Sequence, residues 1–204
     1  MKKAWSILLI GTLLFQSFRI HPTELSKEER KAAISYLQET SDYFTSKVNG
    51  LNDAQLDFKS KPESWSVRNC MEHIALSESF IFTVIENLIK QPANPEKRGE
   101  LKFTDEQVKI ATADRSKKGQ APEPLKPTEK YKNAADAVES FLKSRQANIE
   151  YIETTKDDLR NHLAAHPFFG MLDGYQWMLL LSAHTKRHTL QIEEIMASDN
   201  FPKN

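Results

Sequence analysis

Apolar residues recur three and four positions apart along most of the chain. The densest such stretch is Trp177 to Ile195, WMLLLSAHTKRHTLQIEEI, which reads as a helix. Trp177, Leu181, Ile192 and Ile195 share one face of it, and His184 and His188 fall in the same series. Upstream, Ser26-Lys27-Glu28-Glu29 is a capping box that opens a helix running to about Val48. Ala33, Leu37, Thr40, Phe44 and Val48 form its inward face, and Asn49-Gly50 ends it. Ser66 caps a second helix, in which Val67, Cys70, Ile74, Ser77, Ile81, Val84 and Leu88 alternate in steps of three and four, the spacing of a bundle seam. His73 lies beside that seam, in line with Leu76, Phe80 and Val84. Thr128 is the expected cap of a third helix ending near Thr155, with Ala134, Val138, Phe141, Ile149 and Ile152 facing inward. Asp173-Gly174-Tyr175-Gln176 caps the fourth helix, with Leu172 and Trp177 at the two positions of a hydrophobic staple. Four amphipathic helices predict an all-α protein, an up-and-down four-helix bundle.

The segments between the helices are less regular. Leu51 to Ser64 reads as a simple connection. Gln91 to Lys130 is a long excursion between helices two and three, with Pro92, Pro95, Pro122, Pro124, Pro127 and many lysines. Thr104 can cap a short helix within it that ends near Thr112. A connection of this length inside one domain is a crossover between antiparallel neighbours, a lid, or a solvated strap. Asp158 to Leu172 reads as irregular, and His166-Pro167 favours an extended His166.

Composition narrows the function classes. The 204 residues suit one domain with a proper core. Lys+Arg and Asp+Glu are both 28, so the chain lacks the basic excess that drives nucleic-acid binding, and no nucleic-acid partner is expected. The single cysteine, Cys70, forbids an internal disulfide. Met1-Lys2-Lys3 followed by AWSILLIGTLLF matches a secretory signal peptide, so residues 1–20 are read as a signal and 24–200 as the bundle domain. The apolar run is short of the roughly 20 residues of a membrane span, so no stable span is expected after processing. Export to the periplasm or the exterior follows. The alternatives are a cytoplasmic protein whose first residues pack on the domain, or an N-terminal anchor.

Two imidazoles four residues apart on an inward helix face can grip a metal ion, or can be core histidines held by hydrogen bonds. A third ligand elsewhere decides between these readings, and His73 is the best candidate. His73, His184 and His188 together leave coordination positions open, the pattern of a catalytic site rather than a closed structural one. Imidazole suits Zn, Ni, Cu or Fe. His162 and His166, in the loop, are weaker candidates. Several rivals drop out. The residue after His184 is Thr185, so the H-E-x-x-H base of a metalloprotease is missing, and no histidine has Glu three residues before it, as a di-iron carboxylate bundle needs. There is no G-x-S-x-G, Walker A or G-x-G-x-x-G. Cys70 reads as a packed seam residue, and Arg187 as a solvent-facing one.

Glu63-Ser64-Trp65-Ser66 leading into Glu72-His73-Ile74 resembles the second-helix signature of the DinB/YfiT-like superfamily. His184-Thr185-Lys186-Arg187-His188-Thr189-Leu190-Gln191-Ile192 resembles its fourth-helix signature, and His166-Pro167-Phe168-Phe169-Gly170 and the stretch from Asp114-Arg115-Ser116 to Pro127-Thr128 are also similar. The resemblance covers Ser26 to Ala197. It implies a four-helix bundle, often a homodimer, with a divalent transition metal (Zn, Ni or Fe) bound by three histidines, here His73, His184 and His188. It also implies a small-molecule substrate, with hydrolase or thiol S-transferase chemistry. The alternative is a metal-binding or structural bundle without catalysis.

Overall fold

The computed structural model describes residues 24–131 and 133–203. The expected signal segment lies outside them. Six α-helices are present among the described residues: α1 Lys27–Val48, α2 Asp53–Asp57, α3 Val67–Ile89, α4 Asp105–Ala113, α5 Ala134–Thr154 and α6 Gly174–Met196. The four long ones, α1, α3, α5 and α6, form the expected four-helix bundle. None of the described helices is long and apolar enough to cross a membrane.

Local chemistry sets the helix ends. Ser26 and Glu29 close a reciprocal capping box on α1, and Gly50, at φ 81°, lets the chain leave it through a left-handed turn. Ser66 with Asn69, and Asp173 with Gln176, do the same for α3 and α6. α4 starts at Thr104, as its sequence predicts. α5 does not start at Thr128. Its N-cap is Asn133, because the amides of Thr128, Glu129 and Lys130 donate to the Glu72 carboxylate at 2.9, 3.1 and 3.0 Å and Glu129 sits at φ 59°. A backbone in that conformation cannot enter a right-handed helix.

The direction of each helix follows from its end contacts. α1 and α6 run parallel: Tyr175 Oη donates to the Glu29 carbonyl at one end, and Tyr43 Oη to Glu193 at the other. α1 is antiparallel to α5, since Arg30 near its start donates to the carbonyls of Ile152 and Thr155. α3 runs parallel to α5 and antiparallel to α6, so the chain order is up, down, down, up rather than strict alternation. α1 and α3, consecutive in the bundle, lie diagonally opposite. Parallel neighbours need a connection that returns the full length of a helix, about 35 Å for α3. The 91–130 excursion does this. It therefore joins parallel neighbours, not antiparallel ones.

Nor is the excursion a solvated strap. Val108 and Thr112 of α4 are buried, and Leu125 is buried beyond it. α4 packs along α6, which is thus covered by α1, α3 and α4. Every residue from Leu172 to Ala183 is buried, as an all-round apolar helix must be. The 158–172 stretch, expected to be irregular, carries a hairpin instead: β1 Leu163–His166 pairs antiparallel with β2 Gly170–Asp173, which feeds directly into α6. Gly174 is required here because a Cβ would stand 3.0 Å from the Leu159 carbonyl oxygen. The 51–64 connection likewise contains the short α2, capped by Asn52.

Two charged nodes lock the bundle. Arg145 of α5 is fully buried and donates to Glu78 of α3, to the Leu37 carbonyl and Thr40 hydroxyl of α1, and to the Thr185 hydroxyl of α6. One guanidinium thus touches all four bundle helices. Arg160 binds Glu29, Asp105 and Asp173, which stand in the first turns or cap of α1, α4 and α6. Those three helix N-termini converge on it.

Candidate metal centre

His73 lies in the second turn of α3, facing the later half of α6. The antiparallel packing of the two helices brings it against His184 and His188, which project from successive turns of α6. One ring nitrogen from each of the three lies within 4.8 Å of the others. His73 Nε2 is 3.3 Å from His184 Nε2. Two nitrogens on a tetrahedral ion at ordinary Zn–N lengths stand about 3.3 Å apart, so this edge already matches a coordination edge.

The second nitrogen of two rings is committed. His73 Nδ1–H donates to the Leu125 carbonyl at 2.7 Å, and His188 Nδ1–H donates to Gln191 Oε1 at 2.9 Å. Each bond fixes the tautomer with its lone pair on Nε2, the arrangement that orients a metal-binding histidine. Gln191 is itself held by Arg115, whose guanidinium also forks onto Glu194. Burial lowers the pKa of His73. Burial first, and then the neighbouring His73, hold His184 well below its usual range. Burial and the other two imidazoles do the same to His188. All three are neutral at neutral pH and need lose no proton to bind a cation.

His73 and His188 are buried, whereas His184 is partly exposed. Trp65 packs beside two of them, its ring 4.9 Å from His73 and 6.0 Å from His188. Phe80 stands outside on α3, 44% exposed, and Trp177 packs on the hairpin at 5.1 Å from His166. A cavity of about 390 Å³ lies at the other end of the bundle, lined by Glu29, Arg98, Phe103, Asp105, Arg160 and Gln176 among others. Gln176 is separated from His184 by about 12 Å of helix.

The remaining candidates stay apart from the trio. His162 is pinned between the Asp158 and Gln91 carbonyls. His166 accepts the Phe168 amide, and burial pushes it down to about 4. Cys70 is fully buried, and burial pushes its thiol up to about 12, which suits a packed seam residue. Arg187 is partly exposed, but its guanidinium is tied to the protein. It donates to the carbonyls of Asp114 and Lys117 and holds the loop after α4 on α6. Sequence reasoning missed the outer partners of the site. Gln191 had a local signal, three residues after His188 on the same helix. The Leu125 carbonyl had none, and Glu72 stood only within the motif that carries the family resemblance, because their bonds join positions more than fifty residues apart.

The DinB superfamily model matches residues 36–192 of this chain. The chain belongs to the DinB superfamily. Bacillus subtilis (strain 168) YuaE, an uncharacterized protein, is 24% identical over 148 residues, covering 72% of this chain and 87% of YuaE. The solved structure of Bacillus subtilis YfiT superposes with a TM-score of 0.58 at 16% identity, covering 85% of this chain and 89% of that one. YfiT is described as a probable metal-dependent hydrolase with an unusual four-helix bundle topology. The DinB-like bundle found here has that general form, with helices one and two diagonal.

Proposed function

We propose that this DinB-like protein is a metal-dependent enzyme of hydrolase type, with one divalent transition metal held by His73, His184 and His188. The observation that carries this reading is the convergence of three neutral imidazoles from two helices, two of them pre-oriented through Nδ1. YfiT, described as a probable metal-dependent hydrolase, supports it. A bound ion of this kind supplies Lewis acidity to a substrate carbonyl or phosphoryl oxygen. The chain's own contribution is to pack Trp65 and the buried face of α3 against His73 and His188, and to leave His184 as the part-exposed member that a substrate would meet. The test is to load the protein with Zn²⁺, Ni²⁺ or Fe²⁺ and to assay ester, amide and thiol-conjugate substrates against the His184→Ala variant. Turnover that requires both metal and His184 supports the reading, and turnover indifferent to both contradicts it. A thiol conjugate cleaved only with added thiol acceptor would select S-transferase chemistry instead.

A metal-holding role without turnover is the second reading. What favours it is the burial of His73 and His188, which leaves only His184 of the three partly exposed. We also propose export through residues 1–20 and a homodimer in solution. N-terminal sequencing of exported protein should find a start near Phe18, and light scattering should give twice the chain mass. An intact Met1 and a monomer would contradict these.

A further inference from the structure

Glu72 and His73 are consecutive residues of α3, and both bind the end of the 91–130 excursion. Glu72 is 4% exposed. Its carboxylate accepts three successive amides: Thr128 and Lys130 on Oε1, Glu129 on Oε2. Three amides can point at one carboxylate only if the backbone between them turns back on itself, and Glu129 provides that turn at φ 59°. A non-glycine residue in that region is strained and persists where its surroundings compensate. Five residues before Lys130, Leu125 is buried where the chain meets α3 and offers its carbonyl to His73 Nδ1–H. Pro127 lies between these anchors and Pro124 just before them, and both restrict the backbone.

We propose that Glu72 is a positioning residue for the three-histidine site: by seating the 125–130 strap, it places the Leu125 carbonyl that fixes His73 in its Nε2-ligating tautomer. This rests on the metal reading given above. Glu72 touches no ligand nitrogen and acts only through the strap. Strap seating and metal binding are then one coupled equilibrium, so each must favour the other by the same factor. A metal held by His73 would favour the seated strap through the Leu125 carbonyl by the same factor by which the seated strap favours the metal.

The experiment compares the parent with Glu72→Gln, Glu129→Val and Glu129→Gly, titrating each apoprotein with Zn²⁺ and following amide exchange of residues 125–130. Glu72→Gln keeps the shape but aims an amide group at three N–H donors. Glu129→Val disfavours the left-handed turn without touching the bundle, and so remains informative if Glu72→Gln fails to fold. Glu129→Gly permits the turn. The expected result is an affinity for Zn²⁺ about tenfold lower or more in Glu72→Gln and Glu129→Val, in the range seen when outer partners of ligating histidines are removed. Glu129→Gly should bind as the parent does. Zn²⁺ should also slow exchange of the 128–130 amides in the parent. Parent-like affinity in both weakened variants, or strap exchange indifferent to Zn²⁺, overturns the proposal alone. A parent that binds no Zn²⁺ overturns the metal reading and this proposal with it.

Discussion

Each histidine of the trio is prepared by a different neighbour. His73 is held by a backbone carbonyl, His188 by an amide side chain, and His184 by the surrounding burial. Gln191→Leu removes the acceptor of the His188 Nδ1–H while keeping side-chain volume. It should lower metal affinity about 10- to 100-fold, read by competition with a chromophoric chelator, with helix content unchanged by circular dichroism. The depressed imidazoles also predict a pH dependence. In the unfolded chain these groups take up protons near pH 6.5; in the folded protein they resist them. Below that pH the unfolded state therefore binds more protons, and falling pH must favour unfolding. His166, held to about 4 by burial, adds to the effect. The apoprotein should keep a constant melting temperature above about pH 7 and lose stability steadily as pH falls from about 6.5 towards 4. Bound metal should be released only towards the lower part of that range, where protons begin to compete for the depressed imidazoles. A melting temperature flat down to pH 5 would contradict this.

Among the helices, the buried Arg145–Glu78 pair is the point at which the bundle is most exposed to single changes. Both side chains are essentially inaccessible, and Asn148, Thr40, Thr185 and the Leu37 carbonyl satisfy the remaining donors and acceptors. Desolvating two charges is costly, so the pair itself contributes little net stability, but breaking it strands a charge in the core. Arg145→Leu should therefore lower unfolding stability by about 3–5 kcal/mol in urea titrations, and Glu78→Leu added to it should restore a large part of that loss. A double variant no more stable than Arg145→Leu alone would contradict this account. Thr185, which closes the network on α6, is the residue next to His184. The same node thus fixes the helix face from which two of the three imidazoles project.

At the scale of the molecule, what was legible in the chain was what depends on neighbours in sequence. The capping boxes at Ser26 and Asp173, the cap at Ser66, the short helix after Thr104 and the inward faces of α1, α3 and α6 are set by contacts within a turn or two, and all are present. Of the face expected for α5 only Phe141 and Ile152 are buried, beside Ala137, Arg145 and Asn148, because the buried arginine turns the helix toward Glu78. The three converging histidines were legible because two share one helix face and the third lies one position off a seam. What was not legible depends on distant partners. The start of α5 is displaced to Asn133 because Glu72, 56 residues before Thr128, takes the amides a helix would have used. The up, down, down, up order is set by packing, and no local pattern distinguishes it from alternation. The hairpin at 163–173 escaped notice because four-residue strands are too short to show a period. Arg187 was misread because its acceptors are carbonyls of a loop some seventy residues away.

The central claim is that the chain holds a metal ion on three histidines, and elemental analysis tests it most directly. The protein should be purified without a histidine tag, beside a His184→Ala/His188→Ala variant of matched fold. The account predicts about one transition-metal ion per chain in the parent and none in the variant, as expected for a single three-imidazole site. No metal in the parent after reconstitution, or equal metal in both proteins, would contradict it.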